Sequence, residues 1–197
     1  MAKNTDKKSK SPEKREADQP KADVTMFIGD SNLRNTYMAF KKVIDERIGE
    51  NIFEQSGTNE SIKMQLSGVN IEQISKVFIG SILNEVAWRC KPLSAEAREE
   101  MQLKTVKDQV EIVKEFSKAN PTVKFVILCP LTRGDPAWIE EKIPEITQQL
   151  KEEFGKAEND QITFAQPTIL EAGDVGKDKV HLNNAGMRKY LRHPSAC

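Results

Sequence analysis

The sequence predicts an α/β protein, a three-layer α/β/α sandwich around a central, mainly parallel sheet of five strands. Apolar segments of strand length alternate along the chain with longer segments whose apolar residues recur at helical spacing. Strands that alternate with helices imply β-α-β crossovers, which place helices on both faces of a parallel sheet. At 197 residues and 38% hydrophobic content, the chain has material for one domain of ordinary size.

Five segments are predicted strands because each is short, apolar and bounded by polar or turn-forming residues. The fourth is the clearest, since it is almost entirely apolar. In chain order the predicted strands cover residues 24–28, 51–54, 76–83, 123–129 and 161–164.

Five segments are predicted helices. Ser94 is the expected N-cap of the longest one, because a serine hydroxyl accepts a hydrogen bond from a free N–H group of the first turn. Pro144 requires a helix start or a kink at its position. The predicted helices cover residues 35–48, 60–66, 94–119, 136–154 and 184–191.

The first 22 residues have a different composition from the rest. Lysine, acidic residues, serine and proline alternate there without an apolar stretch, so the segment cannot bury enough surface to offset chain entropy. We therefore predict a disordered charged tail over residues 1–22 and a folded domain over residues 23–193. The tail's lysines offer weak contact with nucleic acid, but its acidic residues dilute their charge.

Charge and cysteine usage restrict the environment and the partners. Thirty basic and thirty acidic residues give zero net charge, so no global field draws the chain to nucleic acid or a membrane. The sequence has neither the apolar core of a signal peptide nor a membrane span. Three cysteines without framework spacing suit a reducing compartment. We expect an intracellular, cytoplasmic protein and, without coiled-coil heptads, a monomer.

Two short polar motifs lie at the ends of the predicted domain. The first strand leads into Gly29-Asp30-Ser31, and Asp178 and His181 precede the last helix. Serine is a weak nucleophile, so hydrolysis requires an imidazole to accept its proton and a carboxylate to orient that imidazole. Alone, His181 is typical of a loop histidine and Asp178 of a helix cap or an Asx turn. Together with Ser31 they predict a nucleophile and its base.

The two motifs resemble the first and last signature blocks of the SGNH, or GDSL-type, hydrolases, and they bracket almost the whole folded chain. The resemblance implies the α/β/α fold of that family and a triad of Ser31, His181 and Asp178. It also implies an oxyanion hole whose donors are the backbone N–H groups of Ser31 and Gly57 and the side-chain amide of Asn84. Gly57 follows the second predicted strand, and an ungapped alignment places Asn84 on the family's asparagine.

The block that contains Asn84 departs from the family pattern. Ile82 replaces the usual glycine and Glu85 the usual aspartate. Glycine permits positive φ or close approach to a ligand, which a β-branched isoleucine does not readily allow. Loss of one oxyanion donor typically slows an enzyme about a hundredfold to a thousandfold, so a displaced Asn84 would leave a slow enzyme.

Two arginines are candidate substrate-binding residues. Arg34 follows Ser31 by three residues, as in some PC-esterase-type acyl esterases and in esterase domains of LINE-type retrotransposons, and it would suit an anionic group of the substrate. The alternative for Arg34 is local pairing with Asp30 or a glutamate. Arg133 lies in the loop after the fourth predicted strand, where it could line the crevice.

The predicted function is a serine esterase or acyl-hydrolase that cleaves a small acyl ester without a cofactor or a metal. The sequence has no P-loop, no dinucleotide-binding glycine motif and no Cys/His cluster at zinc spacing. The alternative is an SGNH-like module with little or no catalytic activity that binds RNA or protein, since a fold alone does not establish chemistry.

Overall fold

A sheet of five parallel strands forms the centre of the molecule. The computed structural model describes residues 23–131, 137–155, 160–165 and 169–192. The strand order is β2-β1-β3-β4-β5, and every neighbouring pair is parallel. The strands are β1 (Val24–Gly29), β2 (Asn51–Gln55), β3 (Ile74–Gly80), β4 (Lys124–Ile127) and β5 (Ile162–Phe164).

Helices cover both faces of this sheet. On one face, α1 and α6 pack on side chains such as Phe27 and Phe78. On the other, α2 to α5 pack on side chains such as Ile28 and Ile79. Successive side chains of a strand point to opposite faces, so both faces of each central strand are buried. The predicted three-layer sandwich is confirmed. The helices are α1 (Ser31–Ile48), α2 (Asn59–Gly68), α3 (Ile82–Cys90), α4 (Ala95–Ala119), α5 (Ala137–Gly155) and α6 (Asn184–Arg192).

The predicted end of the third strand was wrong. We expected a strand to residue 83, whereas β3 ends at Gly80 and the chain enters α3, a helix that the sequence analysis did not predict. Leu83 and Val86 are both buried, three residues apart, which suits one face of a helix. A short apolar run alone does not distinguish a strand from a buried helix, and here the run spans one of each.

Capping explains where two helices begin. Ser94 accepts a hydrogen bond from the N–H of Ala97 and is the N-cap of α4, as predicted. The first helix begins at Ser31, four residues earlier than expected, because Asp30 caps it. Pro144 lies inside α5, which continues on both sides of it, so no helix begins there.

Two other expectations concern the chain as a whole. The predicted tail lies outside the described residues, so the domain boundaries at residues 23 and 193 stay a prediction. Within the described part of the chain, no helix combines the length and apolar character that crossing a membrane requires.

The strand order places a crevice at the carboxyl ends of β1 and β3. From β1 the chain first adds β2 on one side and then crosses to add β3 on the other side. At such a reversal the helices that follow the two strands lie on opposite faces, and the gap between them is the usual ligand site of open α/β sheets. Gly29 pairs with both Gln55 and Gly80, so the loops after three strands meet at this edge.

Candidate active site

Ser31 is the first residue of α1, directly beyond the carboxyl end of β1. The side chain of Asp30 accepts hydrogen bonds from the N–H groups of Asn32 and Leu33, which caps the helix and braces the turn. Gly29 permits the sharp change from strand to helix, because a Cβ there would lie 2.5 Å from Cδ2 of Leu33. The turn therefore presents the Ser31 side chain at the edge where the crevice opens.

A series of two hydrogen bonds joins the three residues of the predicted triad. Ser31 Oγ lies 2.9 Å from Nε2 of His181, although the two residues are 150 positions apart in the chain. His181 Nδ1 lies 2.7 Å from Oδ2 of Asp178. We assign the imidazole proton to Nδ1, because the carboxylate only accepts, which leaves Nε2 free to accept the Ser31 hydroxyl proton.

The loop that carries His181 is held by its own hydrogen bonds. Oδ1 of Asp178 accepts from the N–H groups of Val180 and His181, each at 3.0 Å, and forms an Asx turn. Gly176 donates to the carbonyl of His181 at 2.6 Å. Lys179 has φ of 57°, a left-handed conformation that the turn imposes on it. Asp178 is thus both an Asx-turn residue and the partner of the imidazole, through different oxygens.

The same hydrogen bonds lower the pKa of Asp178 well below its usual range. The N–H of His181 contributes most, followed by the imidazole and the N–H of Val180. The carboxyl is therefore ionised at neutral pH and able to hold the imidazole in one orientation. Both side chains are accessible, at 40% for His181 and 53% for Asp178, so solvent weakens the pair's contribution to stability.

The effect of Asp178→Asn on stability should depend on pH. Because the folded-state pKa is depressed, ionised Asp178 stabilises the fold above its unfolded pKa of about 4, and this stabilisation is lost as the pH falls below that value. We expect Asp178→Asn to lower Tm at pH 7 and to lower it progressively less below about pH 4. Thermal unfolding of both proteins between pH 7 and pH 3 measures this, and an equal difference at all pH values would contradict it.

The two predicted oxyanion-hole residues beyond Ser31 lie in segments that follow β2 and β3. Gly57 is half-buried, and an added Cβ would meet no atom within 4 Å, so the space beside its backbone is open. Asn84 is half-buried in the first turn of α3, where its N–H bonds to the carbonyl of Ser81 at 3.3 Å. Both residues therefore follow strands that pair with β1, and their role as donors stays a prediction.

The two departures in the Asn84 block have a structural explanation. Ile82 is buried, and among the described residues only Lys179 and Gly49 have positive φ, so isoleucine fits here without strain. Glu85 is also buried, and its Oε2 accepts a hydrogen bond of 2.5 Å from the N–H of Asn59 at the start of α2.

Glu85 and Asn59 form a polar connection that the sequence analysis did not find. Arg89 pairs with Oε1 of Glu85 at 2.5 Å, so both carboxylate oxygens are used. The side chain of Asn59 donates to the carbonyl of Thr105 and accepts from Gln109 of α4. This network joins α2, which follows Gly57, to α3, which contains Asn84, and to α4. The only sequence signal was an acidic residue beside Asn84.

Arg34 lies one turn after Ser31 on α1 and reaches the end of β2. Its guanidinium donates to Oε1 of Gln55 at 3.0 Å and to Oδ1 of Asn35 at 3.2 and 3.3 Å. Both of these partners are neutral amides. The local alternative given above predicted a carboxylate partner instead, Asp30 or a glutamate. Arg133 lies outside the described residues.

A small cavity lies between Asp30 and Asn32, which flank Ser31 in the chain, and the ends of β3 and β4; Ser31 itself is not among its lining residues. Its volume of about 20 Å³ is enough for roughly one water molecule. Ile82, Leu83, Leu128 and Leu131 supply apolar wall, and Asp30 and Asn32 supply polar wall. Among the described residues, no group of three or more His, Cys, Asp or Glu side chains could hold a metal ion.

Several solved structures resemble this chain over most of its length. A GDSL-like lipase from Bacteroides thetaiotaomicron has a TM-score of 0.63 and 19% identity, with 87% of this chain and 86% of that chain covered. A family 3 carbohydrate esterase from Clostridium thermocellum has a TM-score of 0.60 and 13% identity, covering 86% and 91%. An acetyl xylan esterase from Geobacillus stearothermophilus has a TM-score of 0.57 and 17% identity, covering 87% and 92%. No protein-family model and no curated protein matches the chain.

Proposed function

We propose that this chain, which has the fold of the SGNH or GDSL-type hydrolases, is a serine esterase that cleaves small acyl esters. The observation that carries the proposal is the hydrogen-bonded series from Ser31 Oγ through His181 to Asp178. A serine, an imidazole and a carboxylate in this order are the requirements for acyl transfer through an acyl-enzyme. The similar structures support the fold, and three of them are a GDSL-like lipase and two esterases.

In the proposed reaction, Ser31 Oγ attacks the ester carbonyl while Nε2 of His181 accepts the hydroxyl proton. The tetrahedral intermediate collapses as His181 returns that proton to the leaving alcohol, and the acyl group stays on Ser31. Water then attacks the acyl-enzyme, with His181 again accepting and returning a proton, and the carboxylic acid leaves. Asp178 keeps the imidazole oriented and stabilises its protonated form through both steps.

The proposed oxyanion hole consists of the N–H groups of Ser31 and Gly57 and the side-chain amide of Asn84. The N–H of Ser31 lies at the start of α1, where the helix dipole also favours negative charge. The network of Glu85 and Asn59 supports this assignment, because it holds the segments that carry the other two donors close together. Preorganised donors are required, since donors that must reorient give little acceleration.

Because the groups needed for ester cleavage are all side chains and backbone amides of this chain, the proposed reaction requires no cofactor.

Arg34 is proposed to bind an anionic part of the substrate. Its guanidinium lies one turn from Ser31 and bonds to neutral amide oxygens, so its charge is available to a carboxylate or a phosphate. For 4-nitrophenyl hemisuccinate, we expect Arg34→Met to lower kcat/KM about tenfold, the loss of one charge-assisted hydrogen bond. For the uncharged 4-nitrophenyl butyrate we expect less than about a threefold change.

The control for this test is Arg47→Met, which removes the same charge from the last turn of the same helix. Thirteen residues of helix separate the two arginines by about 20 Å, beyond the Debye length at physiological salt. If Arg34→Met affects both esters equally, or if Arg47→Met reproduces its selectivity, Arg34 does not bind the anionic group.

The proposed esterase activity is tested by turnover of short 4-nitrophenyl esters without added cofactor. Hydrolysis that requires Ser31 supports the proposal, and hydrolysis that does not depend on Ser31 contradicts it.

A further inference from the structure

The side chain of Asn32 joins the helix that carries Ser31 to the loop that carries His181. Its Nδ2 donates to the carbonyl oxygen of Val180 at 3.1 Å, and its Oδ1 accepts from the N–H of Leu182 at 2.9 Å. The residue is 8% exposed. Asn32 therefore contacts the peptide groups immediately before and after His181.

The orientation of the Asn32 carboxamide follows from its two partners. A backbone N–H only donates and a carbonyl only accepts, so the oxygen of the amide must face Leu182 and its nitrogen must face Val180. The carboxamide thus pairs with the backbone as a neighbouring strand would. An aspartate, a leucine or a serine could not supply the donor and the acceptor at this spacing.

Asn32 is itself held firmly. Its N–H donates to Oδ1 of Asp30 at 2.9 Å, and its carbonyl accepts from Oγ1 of Thr36 at 2.9 Å. Its position relative to Ser31 is therefore set by the first turn of α1, the same turn that sets the nucleophile.

The other backbone hydrogen bonds of His181 are local to its loop. The N–H of His181 donates to Asp178, and its carbonyl accepts from Gly176. These bonds shape the loop but do not set its distance from α1. The two bonds of Asn32 act across that distance, at a separation of 148 and 150 residues.

We infer that Asn32 is a positioning residue that holds Nε2 of His181 within hydrogen-bonding distance of Ser31 Oγ. The kinetic consequence of this inference rests on the proposed function. The positioning of His181 rests only on the contacts of Asn32. A base must lie within about 3 Å of the proton that it accepts, and displacement by about 1 Å can cost about a hundredfold in rate.

The kinetic test is Asn32→Ala with a 4-nitrophenyl ester. We expect kcat to fall about a hundredfold and KM to change less than about threefold, because Asn32 acts on the base and not on ground-state binding. Asn32→Gln, which keeps the amide but lengthens the side chain, should also lower kcat and is the second variant if Asn32→Ala does not fold. Tyr37→Phe is the matched control, since it removes a hydroxyl from the same helix, one that donates to Oδ1 of Asn51, without touching Asn32 or the His181 loop.

A second test does not require enzymatic activity. The chain has two histidines, so His193→Gln leaves one imidazole signal, that of His181. In this background, Ser31→Ala should change the ¹⁵N chemical shift of Nε2, because it removes the hydroxyl at 2.9 Å. We expect the change to shrink by at least about half when Asn32 is alanine, and to persist when Tyr37 is phenylalanine.

The two tests separate the inference from the proposed function. Suppose that the wild type shows no Ser31-dependent hydrolysis, but that Asn32→Ala abolishes the change in the Nε2 chemical shift that Ser31→Ala causes. The proposed function then fails and the inference stands. If hydrolysis depends on Ser31 while both Asn32 variants keep the wild-type kcat and the full Ser31-dependent change in the Nε2 chemical shift, the inference is overturned. A loss of kcat that Tyr37→Phe reproduces also overturns it, because the effect is then not specific to the contacts of Asn32 with the His181 loop.

Discussion

Ser31→Ala is expected to lower kcat/KM for 4-nitrophenyl acetate by about a thousandfold or more, with the fold unchanged. Alanine removes the only atom that can form the acyl-enzyme in the proposed reaction, and it leaves the hydrogen bond of His181 to Asp178 intact. Removal of one member of such a triad leaves only the acceleration that the oxyanion donors and binding supply. A fall in kcat with little change in KM distinguishes the lost nucleophile from a change in substrate binding.

Initial rates at several substrate concentrations, with circular dichroism and thermal unfolding of each protein, measure this effect. Ser75→Ala is the control, since Ser75 lies near the amino end of β3 and bonds to the carbonyl of Val24. We expect it to change kcat/KM less than about twofold. Equal rates for wild type and Ser31→Ala, or no hydrolysis by either protein, would contradict the esterase proposal and favour a module that binds RNA or protein.

Gly186→Ala is expected to reduce the free energy of unfolding by about 3 kcal/mol. A Cβ at this position would lie 2.3 Å from the carbonyl oxygen of Asp174 and 3.1 Å from its carbonyl carbon. These are backbone atoms, so no side-chain rotation relieves the overlap. The first turn of α6 must instead move away from the 3₁₀ turn at Ala172–Asp174.

That movement would disturb several contacts at once. Asp174 accepts a hydrogen bond from the N–H of Asn183 at 2.9 Å, and Lys189 of α6 contacts its carboxylate at 2.7 Å. Asn183 in turn accepts from the N–H of Gly186 at the start of the helix. Because Asp174, Asn183 and Gly186 lie close to His181 in the chain, we also expect lower activity in the folded fraction of Gly186→Ala.

Urea unfolding of Gly186→Ala beside Gly173→Ala measures the effect. Gly173 lies in the same 3₁₀ turn, and a Cβ there would meet no atom within 4 Å. We expect the control to change the free energy of unfolding by less than about 0.5 kcal/mol. If both substitutions have the same small effect, the close approach of α6 to Asp174 is not a constraint on the fold.

Local patterns were sufficient to predict most of the elements. The apolar run that becomes β1, the helical spacing in α4 and its cap at Ser94 all reflect interactions between residues a few positions apart. The pairing of Asp178 with His181 is local in the same sense, because an Asx turn brings residues three apart together. Where a local pattern was ambiguous, as at the junction of β3 and α3, the prediction placed the boundary wrongly.

The sequence by itself determined the fold class and the residues that form the hydrogen-bonded series at the sheet edge, since both follow from short-range patterns and from two recognisable motifs. Only the tertiary structure decided how those residues are held. The bonds of Asn32 to the His181 loop, the bond of Glu85 to Asn59 and the approach of Gly186 to Asp174 join different elements. Such contacts depend on the three-dimensional path of the chain, and the spacing of residues along the sequence carries no signal for them.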